Sequence, residues 1–126
     1  MKDFSAFTIP LKEAQEWTKQ WQSSYSKLPK AFTLPVEDLL GCLTEMGIIN
    51  TDSDGNVTIK YNEGDKVRTY LGEDKDWNKK LIMVGTKNED GTYVDIVRDE
   101  KTPGNSGIYD YSEPCPPKCD PKSPLN

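Results

Sequence analysis

Apolar residues recur at three- and four-residue steps in the first third of the chain, which predicts two helices. The first is predicted over 9–27, with Pro10 near its start. The second is predicted over 35–46, where Pro35 begins the helix and Gly47 can take the left-handed conformation that closes it. The apolar residues of this second helix would form one face against the core: Val36, Leu39, Leu40, Leu43 and Met46.

After the second helix the pattern changes to short runs rich in β-branched residues, which predicts strands. These are predicted at 47–50, 57–61, 67–71, 81–86 and 92–98. The run Leu81–Gly85 is apolar on both faces, so we expect it at the centre of its sheet. Asp-Gly pairs at Asp54 and Asp90 are typical of tight hairpin turns, which makes the sheet mainly antiparallel.

The last quarter of the chain has a different composition, because six of the nine prolines lie in 103–126. Proline at this density excludes helices and central strands. We therefore expect a tail over 99–126 that is docked or partly disordered. The predicted fold is a single α+β domain over 1–126, with two N-terminal helices packed on a small, mainly antiparallel sheet and an extended proline-rich C-terminal tail.

The charge of the chain narrows the kinds of partner. The net charge of -5 and the pI of about 4.8 disfavour nucleic acid or an anionic membrane as a partner, since both attract basic surfaces. No apolar run approaches the length of a membrane span, and the first residues lack the apolar core of a signal peptide. The odd number of cysteines, three, suits a reducing compartment, so we expect a cytoplasmic protein.

The cysteines offer one candidate metal site. Cys115 and Cys119 have a spacing that zinc ligands use, and Cys42 and Asp120 are the remaining candidates for a closed site, which needs four ligands. Two alternatives remain open. The pair could instead form a redox-sensitive disulfide, or both could be small apolar side chains that hold the tail against the body. No cofactor is predicted.

A second, weaker cation site is suggested by Asn50, Asp52 and Asp54 followed by Gly55, which match the first half of a calcium-binding loop. The twelfth position of that loop is Tyr61, where a bidentate Glu is needed. A polar hairpin turn is the competing interpretation.

Catalytic motifs are absent from the sequence. The chain has no His, the one side chain whose unperturbed pKa lies near neutrality. It also lacks a G-x-S-x-G nucleophile elbow and a phosphate-binding glycine loop. We therefore predict that the protein is not an enzyme. Trp17 and Trp21 are expected in the core, whereas Trp77 lies in a run of charges and is predicted to face a partner.

The C-terminal sequence Ile108-Tyr109-Asp110-Tyr111-Ser112-Glu113-Pro114-Cys115-Pro116-Pro117-Lys118-Cys119-Asp120, closing with Ser123-Pro124-Leu125-Asn126, resembles the signature of a family of short, uncharacterised Bacteroidetes proteins. Ile9-Pro10-Leu11 and the strand Leu81–Gly85 also fit that family. The resemblance implies a cytoplasmic bacterial protein. No activity is known for the family, so no functional residue carries over.

These observations predict a non-enzymatic protein-interaction or assembly module that binds a protein partner or associates with itself. Three features favour this interpretation. Catalytic motifs are absent from the sequence, Trp77 is expected to be exposed, and the small sheet has open edges. The alternative is a cysteine-based metal-binding or redox-responsive protein.

Overall fold

The computed structural model describes residues 3–98 and 106–126, and these form two compact units. One unit comprises Met1–Phe32 and Pro114–Asn126, and the other comprises Thr33–Glu113. We call them the terminal unit and the central unit. The prediction of a single domain over 1–126 is not tested by this division and stays a prediction. Part of the predicted tail, 99–105, lies outside the described residues.

Residues 3–98 and 106–126 contain two α-helices and several antiparallel strand pairs, which confirms the predicted mixture of helices and antiparallel sheets. Within the described residues, no helix is both long enough and apolar enough to cross a bilayer. In chain order the elements are a 3-10 turn Ser5–Phe7, α1 Leu11–Ser24, β1 Ala31–Thr33, α2 Val36–Glu45, β2 Ile49–Thr51, β3 Val57–Ile59, β4 Val67–Glu73, β5 Lys79–Glu89, β6 Thr92–Asp95, β7 Ile108–Tyr109 and β8 Glu113–Cys115.

In the terminal unit, the C-terminal residues lie along α1. Gln15 and Gln22 of the helix donate hydrogen bonds to the carbonyl oxygens of Pro124 and Leu125. Before β1, the amide of Lys30 donates to the carbonyl oxygen of Cys115. Side-chain amides therefore hold the last residues of the chain, since backbone carbonyls that no strand pairs must find other donors.

The two helices begin where the prolines place them, but α1 ends before the predicted residue 27. Tyr25 leaves the helical region with φ -131° and ψ 55°. The serines that end α1 compete for backbone hydrogen bonds, which weakens the last turn. No residue of α1 is buried, and Trp17 and Trp21 are 57% and 38% exposed, so the expectation of core positions for both was wrong.

In the central unit, β5 is the strand on which the others are built. It pairs antiparallel with β4 over its first half, with β6 over its second half and with β7 at Met83 and Val84. The residues Met83–Thr86 are all buried. The run that the sequence placed at the centre of the sheet is central because both of its edges are paired.

Helix α2 packs closely on β5 at Gly85. A Cβ atom built on Gly85 would lie 2.7 Å from Cγ of Met46 and 3.1 Å from the carbonyl oxygen of Cys42. On the neighbouring strand β7, the ring of Tyr109 occupies the space beside Gly41 of the helix. Because Gly41 and Gly85 have no side chains, α2 can lie close to the sheet at these two positions.

The face of α2 that is buried matches the predicted one only in part. Asp38 and Cys42 are the buried residues of the helix, whereas Val36, Leu39 and Leu40 of the predicted face are exposed. The other two predicted residues, Leu43 and Met46, are half-buried, and Met46 lies against Gly85. An apolar stripe therefore remains on the outer face of α2.

The contact at Gly85 leads to a stability prediction. Gly85→Ala should destabilise the protein by about 1–3 kcal/mol, because the new methyl group meets a helix backbone that cannot move alone. Gly72→Ala is the matched control on the adjacent strand, where a Cβ would lie 2.9 Å from Cδ1 of Ile82, the end of a flexible side chain. Urea denaturation of both variants checks this, and equal losses of stability would contradict it.

Candidate functional site

The turn between β4 and β5 presents Trp77, the residue that the sequence assigned to a partner surface. The carboxylate of Asp74 accepts hydrogen bonds from the amides of Asp76 and Asn78, both at 2.9 Å. The amide of Trp77 donates to the carbonyl oxygen of Asp74. The side-chain amide of Asn78 donates to the second carboxylate oxygen of Asp74. The turn is therefore held by a closed set of local bonds.

The turn between β2 and β3 has the same construction. The carboxylate of Asp52 accepts from the amides of Asp54 and Asn56 at 2.9 Å, and the amide of Gly55 donates to the carbonyl oxygen of Asp52. Backbone hydrogen bonds hold the pKa of the Asp52 carboxyl below its usual value, as they do for Asp74. Both turns therefore use a charged aspartate as an acceptor for backbone amides.

The two turns differ at the one position that needs a left-handed backbone. Gly55 has φ +83°, as the turn requires, and the equivalent residue of the second turn is Trp77, with φ 67°. A left-handed backbone costs glycine nothing but costs an L-residue about 1–2 kcal/mol. The indole is 78% exposed, so little packing offsets that cost. Strain of this kind at an exposed aromatic residue points to a function.

A shared sequence pattern also relates the two turns, and it did not enter the predictions above. The two turns share an Asp-x-Asp-x-Asn sequence over 52–56 and 74–78. Alignment of the two segments places Gly55 against Trp77, and glycine at that position is what the hairpin turn favours.

The candidate calcium loop forms the first of these turns. Asp52 bonds to backbone amides, and the side-chain amide of Asn50 donates to the carbonyl oxygen of Gly47. These hydrogen bonds are typical of a polar hairpin turn, which was the competing interpretation of this segment.

The candidate zinc ligands are divided between the two units. Cys115 and Cys119 form a disulfide in the terminal unit, and their Cα atoms are 4.7 Å apart. Cys42 is buried in the central unit, where burial is the main cause that raises the pKa of its thiol to about 11. Among residues 3–98 and 106–126, no three His, Cys, Asp or Glu side chains are grouped so as to hold a metal ion.

A buried carboxylate that the sequence did not single out lies beside Cys42. Asp38 is 3% exposed, and its Oδ2 has no hydrogen-bond partner within the described residues. Burial raises the pKa of Asp38, against the hydrogen bond from the backbone amide of Tyr111. The same burial keeps the neighbouring Cys42 a protonated thiol at neutral pH, which makes it a poor nucleophile.

A second cluster of ionisable groups ties β6 to β4 on the other face of the sheet. Asp95 accepts hydrogen bonds from Arg68 and Tyr70. Partial burial favours the neutral carboxyl, yet these two hydrogen bonds hold the pKa of Asp95 below its usual value. Asp95 is hydrogen-bonded to both other side chains, so its ion pair with Arg68 has a structural role between the strands.

The carboxylates that line one cavity of the central unit are also engaged. This cavity has a volume of about 480 Å³. Its Glu45 forms an ion pair with Arg98, and its Asp65 accepts a hydrogen bond from the amide of Asn62. The cavity therefore offers no pair of free carboxylates for acid–base chemistry.

Comparison of the chain with protein-family models, with curated proteins and with solved structures found no match. The resemblance to the Bacteroidetes family stays a prediction.

The strain at Trp77 leads to a prediction for stability. Trp77→Gly should raise the free energy of unfolding by about 1 kcal/mol, because glycine accepts the left-handed backbone and the indole contributes little packing. Gly55→Ala, at the equivalent position of the other turn, should lower it by a similar amount. Chemical denaturation measures both, and a loss of stability in Trp77→Gly would show that the indole packs on the protein.

Proposed function

We propose that this protein is a non-enzymatic interaction or assembly module and that Trp77 is its anchor for a protein partner. The single observation that carries the proposal is a tryptophan held in a strained, exposed turn whose twin within the same chain has glycine. A residue that costs stability and packs on little is explained best by contacts that form on binding. Buried aromatic anchors contribute most to many protein interfaces.

The surroundings of the indole define the partner that would fit it. Asp74 and Asp76 lie in the same turn, and the pKa of Asp74 is held low by backbone hydrogen bonds, so its charge persists at neutral pH. A complementary protein surface has an apolar pocket for the indole and basic groups at its rim. The acidic net charge of the chain agrees with such a partner.

The exposed apolar residues elsewhere in the central unit support an interaction role in general. Val36, Leu39 and Leu40 leave an apolar stripe on α2, and Leu71 on β4 is 77% exposed. Exposed apolar residues that are close together mark interaction sites more often than isolated ones do.

A second candidate function is a redox response of the terminal unit, and the disulfide between Cys115 and Cys119 favours it. We keep the proposal of a cytoplasmic location. In that compartment most disulfides are transient and catalytic or redox-sensing, so a disulfide there implies that the pair changes state. Zinc binding by the same pair requires both thiolates and therefore competes with the disulfide.

The interaction proposal predicts that substitution of Trp77 abolishes the binding of one protein partner. Tagged wild-type protein should retain a partner from lysate of its native host that Trp77→Gly and Trp77→Ala both lose. Val57→Ala, which truncates an exposed apolar residue on β3, is the control and should retain it. Purified partner and titration calorimetry then give the affinity, which should fall at least tenfold in both Trp77 variants. Equal binding by all four proteins would refute the role of Trp77.

The redox candidate predicts a change in thiol state inside the cell. After rapid acid quenching and alkylation, mass spectrometry should find Cys115 and Cys119 oxidised together under oxidant stress and labelled under reducing growth. Cys42 is an internal control that should react only when the protein is unfolded, because it is buried and protonated. Thiols that stay free under both conditions would exclude this candidate.

A further inference from the structure

The outer edge of β4 is open among the described residues, since β4 lies at the end of its sheet and pairs only with β5. Val67 is opposite Gly85, whose carbonyl oxygen accepts a hydrogen bond from Ile96 on the side away from β4. Leu71 is opposite Leu81, whose amide donates to Ser112, also away from β4. Because residues alternate along an antiparallel pair, the odd-numbered residues of β4 direct their N–H and C=O groups outward.

These outward-pointing residues restrict how another strand could pair with β4. They are Val67, Thr69, Leu71 and Glu73. If a second copy of β4 pairs antiparallel, outward residues must meet outward residues. The register centred on Tyr70 satisfies this and overlaps all seven residues of the strand. It places Thr69 opposite Leu71 and Val67 opposite Glu73, each pair occurring twice, with Tyr70 opposite itself on the two-fold axis.

Charges at the two ends of β4 complement each other in the same register. Lys66, which directly precedes β4, falls opposite Asp74 of the second copy, which directly follows it. Opposite charges in facing positions stabilise a strand pair, whereas like charges destabilise it. The next registers that keep outward residues together, shifted by two residues, overlap less of the strand.

The strand itself presents no unpaired charge to a second copy. Arg68 is paired with Asp95, and Glu73 is paired with Lys79, both within one chain. Arg68 would lie opposite Gly72 of the second copy, which has no side chain to crowd it. Unpaired charges on edge strands prevent such pairing in many proteins, and within β4 that protection is missing.

We propose that two copies of this chain associate through β4 into a dimer with one continuous antiparallel sheet, in the register that pairs Tyr70 with Tyr70. The occupant of the edge is a second copy because the strand is complementary to itself in both hydrogen-bond direction and flanking charge. This inference rests on the proposed assembly role but not on Trp77, which lies in the turn beyond the strand.

Light scattering coupled to gel filtration tests the dimer across a dilution series. The wild type should give twice the 14.2 kDa of one chain, and dilution should dissociate it. Thr69→Pro removes an outward N–H while leaving the bonds to β5, so it should be monomeric with an unchanged circular dichroism spectrum. A wild type that is monomeric at every concentration, or a folded Thr69→Pro that is still dimeric, overturns the proposal.

Disulfide trapping tests the register without depending on that variant. Facing residues of a non-hydrogen-bonded pair have Cα atoms about 4.5 Å apart, within the range that a disulfide spans. Tyr70→Cys should therefore cross-link two chains in oxidised glutathione. Val57→Cys on β3, where Val57 is 61% exposed and Tyr70 is 46% exposed, is the control and should not cross-link. Cross-linking of Tyr70→Cys that does not exceed the control overturns the proposal.

The two proposals fail separately. Trp77→Gly should remain dimeric, because the indole is outside the paired strand. A dimer that Trp77→Gly dissociates while Tyr70→Cys does not cross-link overturns the β4 pairing and assigns self-association to the turn. A dimer that persists in Trp77→Gly while the external partner is lost supports both proposals.

Discussion

The close contact between α2 and Gly85 is the constraint on which the central unit depends. The contact brings the helix backbone at Cys42 against the strand that pairs with β4, β6 and β7. Because this contact selects the helix face, it buries Asp38 and Cys42 and leaves three apolar residues of α2 exposed. The absence of a side chain at Gly85 thus determines which residues of α2 are buried and which of its apolar residues stay exposed.

This packing places a thiol and a carboxylate in the interior of the central unit. The thiol is held protonated by burial, and the carboxylate has a raised pKa and one oxygen without a partner among the described residues. Among the exposed carboxylates, Asp52 and Asp74 bond to backbone amides, and Glu73 forms an ion pair with Lys79. Two surface features lower stability without a stabilising contact in the described part of the chain to offset it. They are the left-handed backbone of Trp77 and the open edge of β4. The proposed binding function rests on these two features.

Two surfaces with different physics serve the proposed roles. The Trp77 turn offers a single rigid aromatic residue, and its affinity would come from burial of the indole in a pocket. The edge of β4 offers backbone hydrogen bonds, and its selectivity would come from register and from the charges at each end. The first suits an external partner and the second a copy of the same chain, and Asp74 lies next to both surfaces.

The sequence by itself determined the elements that local chemistry controls. Proline positions set the helix starts, β-branched runs set the strands, and the doubly apolar run over 81–85 identified the central strand. It also singled out Trp77, because an aromatic residue among charges has little to pack on. The left-handed backbone of Trp77 belongs with the local features, because the turn sequence at 74–78 repeats the one at 52–56, where glycine takes that position. Tertiary structure alone decided which residues of α2 are buried, since the packing of Tyr109 beside Gly41 and of Cys42 and Met46 against Gly85 outweighs the leucine periodicity. The structure also decided that Cys115 joins Cys119, an alternative that the sequence left open.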